Sequence, residues 1–290
     1  MAHYVPSGRN VGVVRLVHGG VGRNVAENIA RLGFPVSLVS SVDNGPIGFD
    51  VSERLSRAGV DHSFLTKTNS CGMGMWLAVM DEYGELAGSI SQMPDLQGME
   101  NMIETRGEHL MTQATHVALE LDLNEKITRQ VLLLAKGKKR PVYGLPGNLE
   151  VILKAPDVLE GLACFICNQI EFGRLYGEEF DETDSAKVLE RLLRFTRQHY
   201  LHSMVVTMGA HGCVWFDAVC NTSGVHPAMK VKVIDTCGAG DAFFSGTVSA
   251  LVRGRILASA VDEGTRVAAC TIQSTENSCP ELCLALAGIR

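Results

Sequence analysis

The sequence has no apolar stretch long enough to span a bilayer and no signal-peptide pattern at its N-terminus, so neither a membrane helix nor export is expected. It also lacks a long Lys/Arg run. With 26 basic against 32 acidic residues its formal charge is −6, so nucleic acid is not an expected partner. Lys136-Gly-Lys-Lys-Arg140 is basic but follows a helix-like segment and reads as a solvated helix end. The nine cysteines are odd in number and scattered, and only Cys164 and Cys167 have CxxC spacing. A zinc site would need a second pair or nearby histidines. This pair falls in the apolar run Leu162–Cys167 and reads as strand core. Reduced thiols, and hence a cytoplasmic location, are the simplest account. There is no long linker, low-complexity tract or internal repeat, so the 290 residues read as a single domain spanning 1–290.

What is present is an alternation of short apolar runs and helix-period segments. Helices are expected over Asn24–Leu32, Ile47–Ala58, Glu125–Lys136, Ser185–His199, Ala242–Arg253 and Ser259–Ser274. Strands are expected over Pro35–Val42, Thr115–Leu121, Arg140–Leu145, Leu162–Cys167 and Met204–Met208. This rhythm predicts an α/β fold with a mostly parallel sheet covered on both faces. One region departs from it. Met73–Met80 alternates, Asp81–Glu85 carries a turn, and Leu86–Gln92 continues as a second strand. The hairpin, set in a stretch at about 62–93, is either a lid over a ligand or a simple edge hairpin.

The densest chemistry lies in Val233-Ile-Asp-Thr-Cys-Gly-Ala-Gly-Asp-Ala-Phe-Phe-Ser-Gly246. Gly238, Ala239 and Gly240 let the backbone turn tightly ahead of an apolar helix, whose first amides attract anions. Asp241 at that mouth could take a proton from an attacking hydroxyl. Three further loops also matter. Gly19-Gly-Val-Gly-Arg-Asn24 leads into a helix but lacks the full GxGxxG pattern. It reads as a weak dinucleotide loop, as a site where Arg23 and Asn24 meet a polyhydroxylated ligand, or as an Asn cap with a solvated Arg. Asn168-Gln-Ile-Glu171 suits hydrated Mg²⁺ or a helix capping box. Thr207-Met-Gly-Ala-His-Gly212 suits close approach of a phosphate or ribose, or is a connecting turn. Such loops follow strands, and ligands of open parallel sheets bind outside the strands' carboxyl ends.

Together these motifs, in this order, resemble the PfkB (ribokinase-like) family of sugar and nucleoside kinases. Asp235–Asp241 is similar to its C-terminal signature, Gly19–Asn24 to its N-terminal one, and Asn168–Glu171 to its NxxE motif. Within the family, Gly19–Gly33, Leu77–Leu86 and Gln273–Ser278 are most similar to the pseudouridine kinases. The resemblance implies a ribokinase-like three-layer sandwich with a small β lid, and ATP-dependent transfer to a nucleoside 5′-hydroxyl, with Mg²⁺ as cofactor and K⁺ as a candidate second ion. It implies Asp241 as the base and the Gly238, Ala239 and Gly240 amides as the anion hole. Gly20, Arg23, Asn24 and Glu120 would meet the nucleoside. Thr207, Gly209, Gly212, Ala269 and Asn277 would contact ATP. Asn168 and Glu171 would hold Mg²⁺ through water, and Asp235 and Cys237 a K⁺ ion. It also implies a small-molecule substrate and a homodimer joined through the lid.

One departure is expected. Family members begin with a central strand carrying a substrate-binding aspartate, and Met1–His18 is too short to supply it. Tyr4–Val17 reads as the tail of a lid segment. Loss of a central strand should expose ladder groups and apolar surface. A catalytically impaired nucleotide-binding variant is therefore the alternative to an active kinase. A dehydrogenase would instead need an acidic ribose-binding residue, for which Asp43 is placed, and leaves Asp235–Asp241 unexplained.

Overall fold

The computed structural model describes residue 5 and residues 8–68, 73–81, 86–121, 123–181, 183–279 and 282. In chain order the first half comprises α1 (Val21–Arg31), β1 (Ser40–Asp43), α2 (Pro46–Arg57), β2 (Leu65–Thr68), β3 (Met75–Met80), β4 (Leu86–Gln92), α3 (Gln97–Gln113), β5 (Val117–Glu120) and α4 (Glu125–Gly137). There follow β6 (Val142–Leu145), α5 (Glu150–Lys154), β7 (Cys164–Asn168), α6 (Gln169–Tyr176), α7 (Ser185–Gln198) and β8 (Ser203–Thr207). The chain continues through β9 (Cys213–Asp217), β10 (Thr222–His226), α8 (Ala239–Val252) and α9 (Leu257–Thr271).

The main sheet has six strands in the order β10-β9-β8-β7-β6-β5. Pairings from β5 to β8 are parallel, and β8–β9 and β9–β10 are antiparallel. Strand side chains alternate between faces, and the alternation builds three layers. Tyr143, Leu145, Cys164, Ile166 and Val205 pack with Val25 of α1 and with Phe243, Phe244 and Val261 of α8 and α9. Val142, Phe165, Cys167, Met204 and Val206 pack on the opposite face with residues of α3, α4, α6 and α7, among them Ile103, Ile127, Phe172 and Leu192. Cys164 and Cys167 therefore point to opposite faces of the sheet and cannot share a metal. Burial pushes the Cys164 thiol up to about 12, as expected of core cysteines.

Two expectations change. The strand over Pro35–Val42 shrinks to β1, joined upstream by one parallel bridge, Ser37 to Asp61. A ladder persists only where a partner exists, and β2 pairs with Ser40–Asp43 alone. The lid stretch also divides, because β2 joins β1 while the antiparallel hairpin is β3–β4, running from the Met75–Gln92 pair to Met80–Leu86. Most of its turn, residues 82–85, lies outside the described residues. Val11–Val17 carries no regular structure, and Val14 is 96 % exposed.

β5 ends the main sheet, and β1–β2 forms a separate pair. Among the described residues no strand joins β5 to β1. A cavity of about 1690 Å³ is lined by 36–42, by 115–120, by Val25 and Ile29 of α1 and by Met99 and Ile103 of α3. It continues to the mouth of the α1 loop, where Gly19, Gly20 and Arg23 also line it. An apolar cleft of this size should take up an amphipathic dye. Titration of the native protein with anilinonaphthalene sulfonate at neutral pH should raise its fluorescence, and no rise would mean that the cleft is closed in solution.

Candidate active site

Parallel strands bring their carboxyl ends to one edge. Glu120 ends β5 opposite Leu145 of β6, and Asn168 ends β7 in register with Thr207 of β8. Two helices start at the same edge. α1 begins after Gly20, whose φ of 93° favours glycine. Glu120 reaches toward this start, since a Cβ on Gly22 would lie 4.0 Å from its Oε2. α8 begins after Gly238, at φ 78°, where a Cβ would lie 2.2 Å from the Asn277 carbonyl oxygen. No side chain fits there, so the close approach of the 235–241 loop to the 276–279 segment requires glycine.

Asp241 sits in the first turn of α8. Its Oδ2 accepts from Asn24 Nδ2 of α1 at 2.7 Å. Burial pushes its carboxyl up to about 6, against the opposing pull of the Asn24 bond and the Arg23 charge. A base must be ionised at working pH yet retain proton affinity, and a value near 6 meets both needs. The Gly238–Gly240 turn leads directly into this carboxylate. First-turn amides have no partner four residues back within the helix, although Ala239 N donates to Thr236 O at 3.2 Å. Upstream, Asp235 Oδ1 accepts from Cys237 N at 2.9 Å, and the Ile234 and Asp235 amides both donate to Ile272 O.

The remaining expected residues are placed as follows. Arg23 is buried and its guanidinium is spent on the protein itself. Nε donates to Gly19 O at 2.8 Å, Nη2 to His18 O at 2.6 Å and to Asn24 Oδ1, and Nη1 to Glu27 Oε1. Asn168 and Glu171 form a capping box: Glu171 N donates to Asn168 Oδ1 at 2.9 Å and Asn168 N to Glu171 Oε2 at 2.7 Å. Thr207 Oγ1 lies 3.5 Å from Cys167 O. Gly209 and Gly212 bound a one-turn 3₁₀ segment, and a Cβ on Gly212 would meet His226 O at 2.0 Å. Ala269 is buried within α9, its carbonyl accepting from Gln273. Asn277 Nδ2 donates to His18 O at 3.0 Å, tying the segment after α9 to the α1 loop. Asp43 Oδ1 accepts from Gly48 N at 2.5 Å at the start of α2, a local structural bond rather than an open ribose-binding carboxylate.

Not anticipated from the sequence is the polar cluster behind Asn24. Glu27 is fully buried, and its carboxylate accepts from Arg23, from Arg54 Nε at 2.8 Å and from Ser278 Oγ at 2.7 Å, with Arg31 Nη2 at 3.2 Å. Arg54 Nη1 also bonds Glu276 at 2.7 Å. Burial pulls the Glu27 carboxyl upward, but the Arg54 bond and the Arg23 charge outweigh it and hold it below the usual range. The i, i+4 spacing of Arg23, Glu27 and Arg31 was the available signal.

The model of the pfkB family carbohydrate kinase matches residues 3–281. The chain belongs to this family. It is 36 % identical over 290 residues to the guanosine-inosine kinase of Exiguobacterium acetylicum, covering 96 % of this chain and 91 % of that one. It is 26 % identical over 279 residues to the pseudouridine kinase of Escherichia coli, covering 95 % and 86 %. Among solved structures, the ribokinase of Giardia lamblia superposes with a TM-score of 0.83 at 15 % identity, covering 99 % and 93 % of the two chains, which shows the shared ribokinase-like fold. Membership makes the protein a phosphotransferase with an alcohol acceptor on a small sugar or nucleoside. Among the described residues no helix is long and apolar enough to cross a membrane.

Gly238→Ala should retain the fold by circular dichroism yet lower kcat by about 10²–10³-fold, the cost expected where such a turn supplies an oxyanion donor. Near-normal turnover would show that the turn need not approach Asn277 so closely.

Proposed function

We propose that this kinase transfers the terminal phosphoryl group of ATP to the 5′-hydroxyl of a nucleoside, with purine nucleosides of the guanosine and inosine type foremost. The observation that carries the proposal is Asp241, a desolvated carboxylate held by Asn24 directly behind the Gly238–Gly240 turn. Asp241 takes the hydroxyl proton as that oxygen attacks phosphorus and the bond to the departing ADP breaks. The first-turn amides of α8 meet the charge on the transferring group. Glu120, Asn24 and Gly20 are the candidate nucleoside contacts, and Thr207, Gly209, Gly212 and Asn277 the candidate ATP contacts. Ala269 would act only through the packing of α9.

The purine preference rests on the 36 % likeness to guanosine-inosine kinase. Pseudouridine is the second acceptor, supported by the 26 % likeness to pseudouridine kinase and by the Gly19–Gly33 stretch. Mg²⁺ would neutralise phosphate charge during transfer. Asn168 Oδ1 and Glu171 Oε2 already accept backbone amides, so this hard-oxygen pair fits a hydrated ion held through water rather than direct ligation. The backbone around Asp235 and Cys237 is the candidate K⁺ position. A homodimer through β3–β4 is compatible with the exposed Trp76, Leu77 and Ile90 of that hairpin, and a cytoplasmic location with the unpaired Cys164, Cys167 and Cys213. A second reading, a nucleotide-binding variant with impaired turnover, is favoured by the cavity between 36–42 and 115–120.

ATP consumption measured against inosine, guanosine, pseudouridine, uridine and ribose should be fastest with a purine nucleoside. ATP binding without turnover of any acceptor would favour the second reading. Asp241→Asn should lower kcat by about 10²–10⁴-fold, the span of general-base catalysis.

The folded Asp241 value lies above the ordinary 3.8. Stability from this group is therefore complete below the unfolded value and is lost as pH rises through about 6. Asp241→Asn should thus be at least as stable as the parent at pH 7.5 in urea denaturation. The wild-type kcat/KM profile should fall on the acid side with a midpoint near 6. A flat profile from about one unit below to about two units above that midpoint would remove Asp241 as the base.

A further inference from the structure

Three parts of the chain meet at one fully buried carboxylate. Glu27 Oε1 accepts from Arg23 of its own helix and from Arg54 Nε of α2 at 2.8 Å, while Oε2 accepts from Ser278 Oγ beyond α9 at 2.7 Å. Arg23 fixes the other side of this arrangement. The same guanidinium that bonds Glu27 donates to Asn24 Oδ1, and Asn24 Nδ2 donates to Asp241 Oδ2 at 2.7 Å. An amide whose oxygen is held by a guanidinium must turn its NH₂ the other way, toward Asp241. A continuous chain of polar bonds therefore runs from Arg54 through Glu27, Arg23 and Asn24 to Asp241.

The same carboxylate acts on the glycine turn. Ser278 and Glu276, held by Glu27 and Arg54, flank Asn277. The Asn277 carbonyl oxygen is the atom against which Gly238 packs, and its Nδ2 holds His18 O, which Arg23 also holds. One buried group thus registers α1, the α8 start and the 276–279 segment against each other.

We propose that Glu27 is the positioning residue of this kinase: through Arg23 and Asn24 it aims the Asp241 carboxylate, and through Ser278 it sets the Asn277 backbone against the Gly238 turn. This rests on the reading of Asp241 as the base. Glu27 touches neither substrate nor reacting atoms. A planar, forked guanidinium is needed at Arg23 because one side chain must bond His18, Gly19, Asn24 and Glu27 together, which a lysine ammonium on its flexible stem cannot do. Burying the cluster is costly in itself, and the register it imposes on the reacting groups is the return.

The charged groups around Asp241 come from several elements. Arg23 stands behind Asn24 on α1, with Glu27 and Arg31 further along it. Arg54 comes from α2 and Glu276 from the segment after α9. Glu120 of β5 and Asp235 before α8 line the adjoining cavity. Loosening Asn24 weakens a bond to the ionised form of Asp241, so its acid limb must move to higher pH.

The test compares Glu27→Gln and Arg23→Lys with Arg31→Gln, which removes a partner of Glu27 and Ser278 but leaves the Glu27–Arg23–Asn24–Asp241 bonds in place, and so serves as the control for the acid limb. Both Glu27→Gln and Arg23→Lys should lower kcat by about 10- to 100-fold, the cost of misplacing a reacting group by about 1 Å. In Arg23→Lys, which leaves the Glu27–Ser278 bond in place, KM for ATP should stay within about threefold, as it does when only transition-state interactions are lost. Their kcat/KM acid limb should move upward in pH. Arg31→Gln should lower the urea midpoint while keeping the wild-type limb. Should Glu27→Gln fail to fold, Arg23→Lys alone decides. Wild-type kcat and an unmoved limb in Arg23→Lys, with Asp241→Asn inactive, overturns the positioning role and leaves the base intact. Retained activity in Asp241→Asn instead overturns the base assignment.

Discussion

The hydrogen bond from Asn24 to Asp241 joins the starts of two helices that are 217 positions apart in sequence. α1 and α8 lie on the same face of the sheet, packed through Val25, Phe243 and Phe244. Their N-termini open at the carboxyl edge of the parallel strands, where ligands of such folds bind. The apolar packing beneath brings the two helix starts within reach of the polar contact above. In turn that contact ties a desolvated carboxylate to the loop that would carry the acceptor. The Gly238 turn directly precedes this junction, and Arg23 adjoins it through Asn24.

The site is also where the protein accepts unfavourable local chemistry. Asp241 is held above its ordinary proton affinity by burial. Glu27 sits with Arg23, Arg31 and Arg54 away from solvent, an arrangement whose desolvation cost rivals its attraction. Gly238 and Gly212 take positive φ against backbone atoms that exclude any side chain. Such features cluster where positioning matters more than stability. The core is conventional by contrast, with Phe165 and Phe216 almost wholly buried on one face of the sheet and Phe244 of α8 packed against the other.

Much of this was legible in the chain. The β5 to β8 strands and their helices follow apolar runs and helical periods closely, because buried parallel strands read as continuous apolar segments. Asn168 and Glu171 were legible in both roles, and their bonds satisfy the capping one. The strand at Pro35–Val42 was overextended because its length depends on a neighbour, and β2 pairs only with its last four residues. From the sequence Arg23 reads either as meeting a ligand or as a solvated arginine beside an Asn cap, because an arginine at a helix start is ordinarily exposed. Its burial depends on Glu27, Gly19 and His18 closing around it.

The sequence by itself determined the family, the strand and helix rhythm and the residue proposed as the base, since these rest on local periodicity and on contiguous motifs at strand ends. Tertiary structure decided what those motifs do to one another. Only folding brings Arg54, Glu276 and Ser278 to Glu27, and only folding shows that Asn24 serves Asp241. Only folding, too, leaves the cavity between 36–42 and 115–120. The physical reason is range: helix periods and turn chemistry act over a few residues, whereas desolvation and hydrogen-bond partnership depend on groups that are distant in sequence.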